Sequence, residues 1–476
     1  MHTGADECDD GDMNRPEPTG AVIVVEPEDI FFSTTDHKGV ILKANSVFVA
    51  ISKYRWDQLV GQPHNIIRHP AMPGAAFLAM WDTLLAGEPF CAYVHNLAAD
   101  GSTYTVLASV VPLGEDFLSV RIAPQREDLL AACDAVYEAT LQAEAAAGHE
   151  GCGAPERARR GLPVLLDTIT SATGVEPMAF LRSCLVKEVS TRRRANADQP
   201  PAVARRGAMG GPQFEELVAQ VDQVMDVVND WAKGLEDIEG VVDDAHRVHD
   251  AVAAALEEWS NTAEAFTRAA GEGAGARPLV NSLGLWTRMS GEVNQLVEEV
   301  AAHLDALADD AARTAFRLAL AYIQVESLRS FVAELRARVE GWEHALPAIE
   351  DLARAVEESL DQAQQTMASF REQSRASLAT MAETAELMTM PADLLGSWVA
   401  LASRPGMPQE VTDLVPVITA QANGTRDLAD QLNGVVTHLH DLAEATATRT
   451  VSPDQFARIR GGAAAVAAQP LDDAPA

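Results

Sequence analysis

The stretch STTDHKGVILKANSVFVAISKY (residues 33–54), continued by GQPHNIIRHPAMPGAAFLAMWDTLLAGEPF (residues 61–90), decides the fold. HKG (37–39) supplies turn chemistry, and KGVILKANSVF leaves it as a β-rich segment. FVAISKYRWDQLVG and NIIRHPAMPGAAFLAMWDTLLAG then read as short helices. Upstream, AVIVVEP (21–27) is a short β-branched run. Downstream, YTVLASVVPL (104–113) and DFLSVRIAP (116–124) are β-rich, with ADG (99–101) as the turn before them. Strand, strand, short helices and then three strands make an α+β domain over residues 24–125.

Beyond residue 128 the signal is helical and rich in Ala, the strongest helix former. EDLLAACDAVYEATLQAEAAA is an amphipathic exit helix (126–147) expected to leave the domain. Residues 148–212 carry HEGCGAPERARRG and TRRRANADQPPAVARRGAMGGP, which read as Gly/Pro/Arg-rich linkers around a short helical element at 162–190. Past Pro212, Phe214, Leu217, Val221, Val224, Val228, Trp231, Leu235, Ile238 and Val242 alternate in steps of three and four, a heptad seam. GEGAGARP (271–278) interrupts the helix. Further helices are expected over about 279–346, 348–390 and 410–447, with breaks at Pro391 and at SRPGMPQ (403–409). Leu428, Leu432, Val435, Leu439 and Leu442 share a seam on the last. The body, 213–450, is thus a helical bundle or coiled coil and a folding unit of its own. Residues 1–23 and 451–476 read as disordered tails.

The formal net charge of -34 repels phosphate backbones and anionic lipid, so neither nucleic acid nor a membrane surface is an expected partner. No run of about 18 apolar residues occurs, so no membrane insertion is expected. Cys8, Cys91, Cys133, Cys152 and Cys184 form no C-x-x-C pair, which fits a reducing cytoplasm and argues against a zinc site. His246, His249, His438 and His440 have no nearby Cys, and packing is the reading preferred to metal. Nucleotide-binding, kinase and cyclase boxes are absent, so no catalytic residues and no enzymatic output are expected.

The run G-Q-P-H-N-x-x-R-H-P-x-M-P (61–73) resembles the PAS domain of the aerotaxis receptor family, and the resemblance covers about a fifth of the chain. It implies an α+β PAS domain followed by a large all-α, coiled-coil-like region, and a non-covalent FAD whose redox state reports respiratory status. It places Asn45, Arg68, His69 and Trp81 where the family has residues that affect flavin binding. Their chemistry agrees: Arg and His can hold a pyrophosphate or ring carbonyl by charge-assisted bonds, and a Trp can wall a slot for a flat ring. The family pattern also has an acidic residue and two Trp where this chain has Ala71, Phe90 and Thr105. Heme is the alternative cofactor, with His64, His69 or His95 as axial candidates.

The resemblance further implies a homodimer whose helices contact a chemotaxis kinase or coupling protein. NTAEAFTRAAGEGAGARPL (261–279) lies where the contacting tip belongs, without the family's recognisable sequence. FRLALAYIQVESLRSFVAEL (316–335) is amphipathic enough for a dimer core. Among the paired glutamates, Glu257 and Glu258 have passable flanks for receptor methylation, though a solvated helix face is the reading preferred. The competing function is a coiled-coil adaptor whose PAS domain serves only dimerisation or docking.

Overall fold

The computed structural model describes residues 16–196, 211–270, 277–337, 345–405, 407, 409–445 and 451–468. The α+β domain carries strands β1 (Phe31–Thr35), β2 (Ile41–Ala44), β3 (Phe90–Leu97), β4 (Thr103–Leu113) and β5 (Asp116–Ile122). Helices α1 (Ser46–Ser52), α2 (Trp56–Leu59) and α3 (Gly74–Leu85), with a 3-10 turn at His64–Ile67, lie between β2 and β3. The sheet is antiparallel in the order β2-β1-β5-β4-β3. This is the expected PAS element order, but its first strand is not AVIVVEP: residues 21–27 make only an isolated bridge, Val22 to Thr103, and the sheet begins at Phe31.

Strand alternation gives the sheet two faces. One rung of the inner face runs Phe31, Arg121, Ala108 and Ala92, and the next runs Ser33, Ser119, Val110 and Phe90. Phe31, Tyr104 and Val106 pack there against Ile41, Phe48, Leu59 and Ile67. On the outer face, Phe32 meets Phe331 edge-on at 5.0 Å, Cys91 donates its thiol to the Leu181 carbonyl, and Tyr93 bonds Glu188. Both faces are therefore dry, and an alternating pattern with apolar residues at both parities follows from that.

Several expectations are corrected. Residues 16–23 are not a free tail: Ile23 N donates to Thr103 O, and Thr19 N to Gly101 O. Gly101 (φ +81) permits this approach, since a Cβ there would sit 2.3 Å from the Glu17 carbonyl. The exit helix α4 (Glu127–His149) does not leave the domain. Glu144 turns back to cap α3, accepting from the amides of Gly74 and Ala75 at 3.0 and 2.8 Å. The linker reading of 148–212 gives way to α5 (Ala154–Thr173) and α6 (Pro177–Asn196), with 197–210 outside the described residues. α5 packs on α3 and α4, and α6 packs on β3.

The body consists of α7 (Pro212–Ala270), α8 (Arg277–Ala337), α9 (Ala345–Ala402), α10 (Gln409–Thr412) and α11 (Val415–Ala445), followed by α12 (Pro453–Ala467). The expected interruption at GEGAGARP falls largely on 271–276, outside the described residues. Pro391 does not end α9, which continues to Ala402. One lost backbone bond is tolerated in a long helix held on both sides by buried Ala385, Met388, Leu395 and Trp398. The C-terminal tail is α12 rather than wholly disordered: Phe456, Ile459, Ala463 and Val466 fall on one face and are buried.

The helical body is not a folding unit of its own. The chain divides into one compact unit of residues 1–230, 315–363 and 450–476, and a second of 231–314 and 364–449. The first unit thus joins the α+β domain to the flanking pieces of α7, α8, α9 and α12. All nine seam residues from Phe214 to Val242 are buried in a single chain. The seam's apolar stripe consequently gives no driving force for a homodimer.

Candidate functional site

Asn45 caps α1 from inside the core. Its Oδ1 accepts from the amides of Phe32 and Phe48, both at 3.1 Å, and its Nδ2 donates to the Ile30 carbonyl at 2.7 Å. The side chain ties β1 to α1. Arg68 stands at the turn before α3, its guanidinium over the Phe77 ring at 4.4 Å and donating to the Met72 carbonyl. The Arg68 backbone bridges to Asn96. His69 follows, its Nδ1 accepting from the Ala71 amide at 3.0 Å, its ring edge-on to His95 at 6.4 Å. Burial, and secondarily the neighbouring His95, lower the His69 pKa. Trp81 rests edge-on against Phe117 at 5.5 Å. Its other neighbour is the turn residue Gly39 (φ +76), where a Cβ would come within 3.1 Å of the indole. Arg68 and His69 are thus adjacent to the β3 edge, while Trp81 flanks the start of β5.

The inner face also holds polar groups that motif reading passed over. Arg121, 4% exposed, donates to Ser33 Oγ at 3.0 Å and to His64 Nε2, and lies over the Phe48 ring at 5.2 Å. Burial lowers its pKa to about 10. Four buried polar atoms around this core have no hydrogen-bond partner: Arg121 Nη1, Tyr104 OH, Asn96 Nδ2 and Asn65 Oδ1. The Tyr104 ring lies tilted against Phe31 at 5.8 Å, and Tyr104 pairs with Asn96 across β4 and β3. Buried polar groups are nearly always satisfied, and each exception calls for a partner. A readable signal existed: in DFLSVRIAP, Arg121 has the parity of Phe117 and Ser119.

The orphan set tests the implied cofactors. An isoalloxazine edge offers carbonyl and ring-nitrogen acceptors and one N–H donor. Three orphan donors and one orphan acceptor match that mixture. Of the three axial candidates for heme, two have ring nitrogens already engaged, whereas His69 uses its Nδ1. His95 has both ring nitrogens engaged, with Thr105 Oγ1 at 2.9 Å and Asp134 at 2.8 Å, and His64 Nε2 already accepts from Arg121.

His64 gives a pH prediction. Burial and then the Arg121 charge push its pKa well below the ordinary value of 6.5. The unfolded chain therefore takes up this proton before the folded one does, so acid favours unfolding. Stability is expected to hold above about pH 6.5 and to fall below it, by at most about 1.4 kcal/mol per pH unit from this residue. Urea midpoints at a series of pH values measure the slope, and His64→Gln should flatten it. A wild-type slope unchanged in that variant would remove His64 as its source.

Comparison with known proteins fits this N-terminal region. The chain is 42% identical over 112 residues to the aerotaxis receptor of Escherichia coli (strain K12), covering 22% of each protein. It is 28% identical over 103 residues to the nitrogen fixation regulatory protein of Klebsiella pneumoniae and 27% to that of Klebsiella oxytoca, in each case 22% of this chain and 21% of the relative. The match thus spans about a fifth of the length of these curated relatives. No family model matches the chain. The N-terminal domain is a PAS-type sensor domain similar to that of the aerotaxis receptor.

Proposed function

We propose that this chain is a sensory signalling protein whose PAS domain holds FAD non-covalently and reports redox or oxygen status to its helices. The observation that carries the reading is the set of orphaned donors and one acceptor inside a domain 42% identical to the aerotaxis receptor's. Bound flavin would supply reversible electron uptake. The protein's own residues do the rest. Arg121, Tyr104, Asn96 and Asn65 present polar atoms to the ring edge, Phe31 and Phe48 exclude water, and Trp81 walls the site. Arg68 and His69 at the rim supply donors for a phosphate or carbonyl.

Relay needs a physical path from pocket to helix. Within the first compact unit, Ser46 Oγ donates to Glu334 at 2.7 Å, Lys43 pairs with Asp351, and Phe32 meets Phe331. Asn45, next to Ser46, fixes β1 against α1. A shift of the inner face thereby reaches α8 and α9 through two strands. The same contacts weigh against the adaptor reading, because the chain's own helices occupy the outer sheet face that a docking partner would use.

The four described cysteines are unpaired thiols, which supports a cytoplasmic location. Among the described residues no helix is long and apolar enough to cross a membrane. A homodimer, and a chemotaxis kinase or coupling protein as partner, extend the resemblance to the aerotaxis receptor family. Light scattering of the full chain decides the first: a monomeric mass withdraws it.

Purified full-length protein is expected to absorb near about 370 and about 450 nm and to release its flavin on denaturation, as a non-covalent pocket ligand does. A Soret band would move the assignment to heme. Protein that stays colourless after incubation with FAD would end the flavin reading.

A further inference from the structure

We infer that Arg121, with Tyr104, is the residue pair that anchors the pyrimidine edge of the flavin and sets its reduction potential. The inference rests on the flavin reading above and assigns the chemistry of its site.

A guanidinium is costly to bury without a counter-charge. Arg121 is 4% exposed, and among the described residues no carboxylate pairs with it. Its protein partners are a serine hydroxyl and the neutral Nε2 of His64, both neutral acceptors. Nη1 points at nothing, and the Tyr104 hydroxyl on the adjacent strand is also buried and unpartnered. A structural arginine would be expected to have a carboxylate or a full set of carbonyls. Two orphan donors on one face of a core instead require an acceptor-rich, electron-attracting partner. The C2 carbonyl and N1 of an isoalloxazine are such a group.

Reduction places two electrons and one proton on the ring and leaves negative charge on that edge. A fixed positive charge there, in a water-excluded core, stabilises the reduced form more than the oxidised form. Arg121 therefore raises the potential, and its positive charge is the property that matters.

The test uses full-length chain reconstituted with FAD and reduced by dithionite against a reference dye. Arg121→Gln is expected to weaken FAD binding tenfold or more. It should also shift the oxidised-to-reduced ratio at least tenfold toward oxidised, about 30 mV for a two-electron couple. Arg121→Lys, which keeps the charge, should restore most of the potential. Tyr104→Phe should weaken FAD binding while raising the melting temperature of the FAD-free protein, because it deletes a buried unsatisfied hydroxyl; a structural tyrosine would lower both. Arg121→Gln that binds FAD with wild-type affinity and potential overturns this inference and leaves the flavin reading standing. Wild-type protein that never binds FAD overturns both. If Arg121→Gln fails to fold, Tyr104→Phe decides: unchanged FAD affinity refutes the anchor.

Discussion

Glu326→Ala is expected to destabilise the first compact unit by about 3–5 kcal/mol, the usual cost of breaking one side of a buried ion pair. Glu326 on α8 pairs with Arg192 on α6, their side chains 10% and 4% exposed. It also accepts from Asn196 Nδ2 at 3.0 Å and from the Tyr322 hydroxyl at 3.2 Å. Truncation leaves the Arg192 charge buried with no carboxylate, and Arg192 Nη1 already lacks a partner. The loss is therefore mostly the penalty of an uncompensated charge. The net worth of the pair is smaller, so a double replacement, Arg192→Met with Glu326→Leu, should recover most of the stability. Urea denaturation followed by helical circular dichroism measures both. A shift below about 1 kcal/mol for Glu326→Ala would mean that water reaches the pair and that α6 is not locked to α8.

This pair shows where sequence reading stops. Arg192 sits in TRRRANADQPP, a run with the composition of a solvated linker. Only its position on α6, one turn beyond buried Glu188 and Val189, puts it inside. The alternation of β4 and β5 and the heptad steps of α7 were legible because burial recurs at a fixed period over many residues. α12 was not, because Gly461, Gly462 and a run of Ala dilute the face made by Phe456 and Ile459. Pro391 reads locally as a helix breaker, whereas the packing of buried Met388, Leu395 and Trp398 on either side decides the outcome. Residues 16–23 hold their place through backbone bonds to the Gly101 turn, which no side-chain pattern announces.

The candidate site divides in the same way. Asn45, Arg68, His69 and Trp81 came from a motif, and the structure puts Asn45's amide wholly on backbone partners. Arg121 and Tyr104 lie on strands far from the motif in sequence. Their importance rests on what they lack, a partner, and a missing partner is a property of three-dimensional neighbours. Parity in β5 was the one sequence clue, and it identifies an inward arginine without saying what it faces.

Glu188→Ala is the second large effect, expected at about 3 kcal/mol or more, since a buried carboxylate that accepts several bonds leaves each donor unpaired when removed. Glu188 on α6 is fully buried. It accepts from the Tyr93 hydroxyl at 2.7 Å and from the amides of Gln125 and Arg126 at 2.8 and 3.0 Å. Those amides open α4, so one carboxylate joins the outer sheet face, the start of α4 and α6. Burial and the bond to Glu188 push the Tyr93 pKa up, which keeps its hydroxyl a donor. Glu188→Gln separates shape from charge. It retains one acceptor oxygen but turns an NH2 toward donors, so it should fall between wild type and Glu188→Ala. Hydrogen exchange adds the spatial readout: protection should be lost first at the Gln125 and Arg126 amides and the first turn of α4, while β1 and β5 stay protected. If Glu188→Ala left exchange at 125–130 unchanged, the carboxylate would not be what holds α4 to the sheet. The path from sensor domain to helices would then rest on the contacts of β1, β2 and α1.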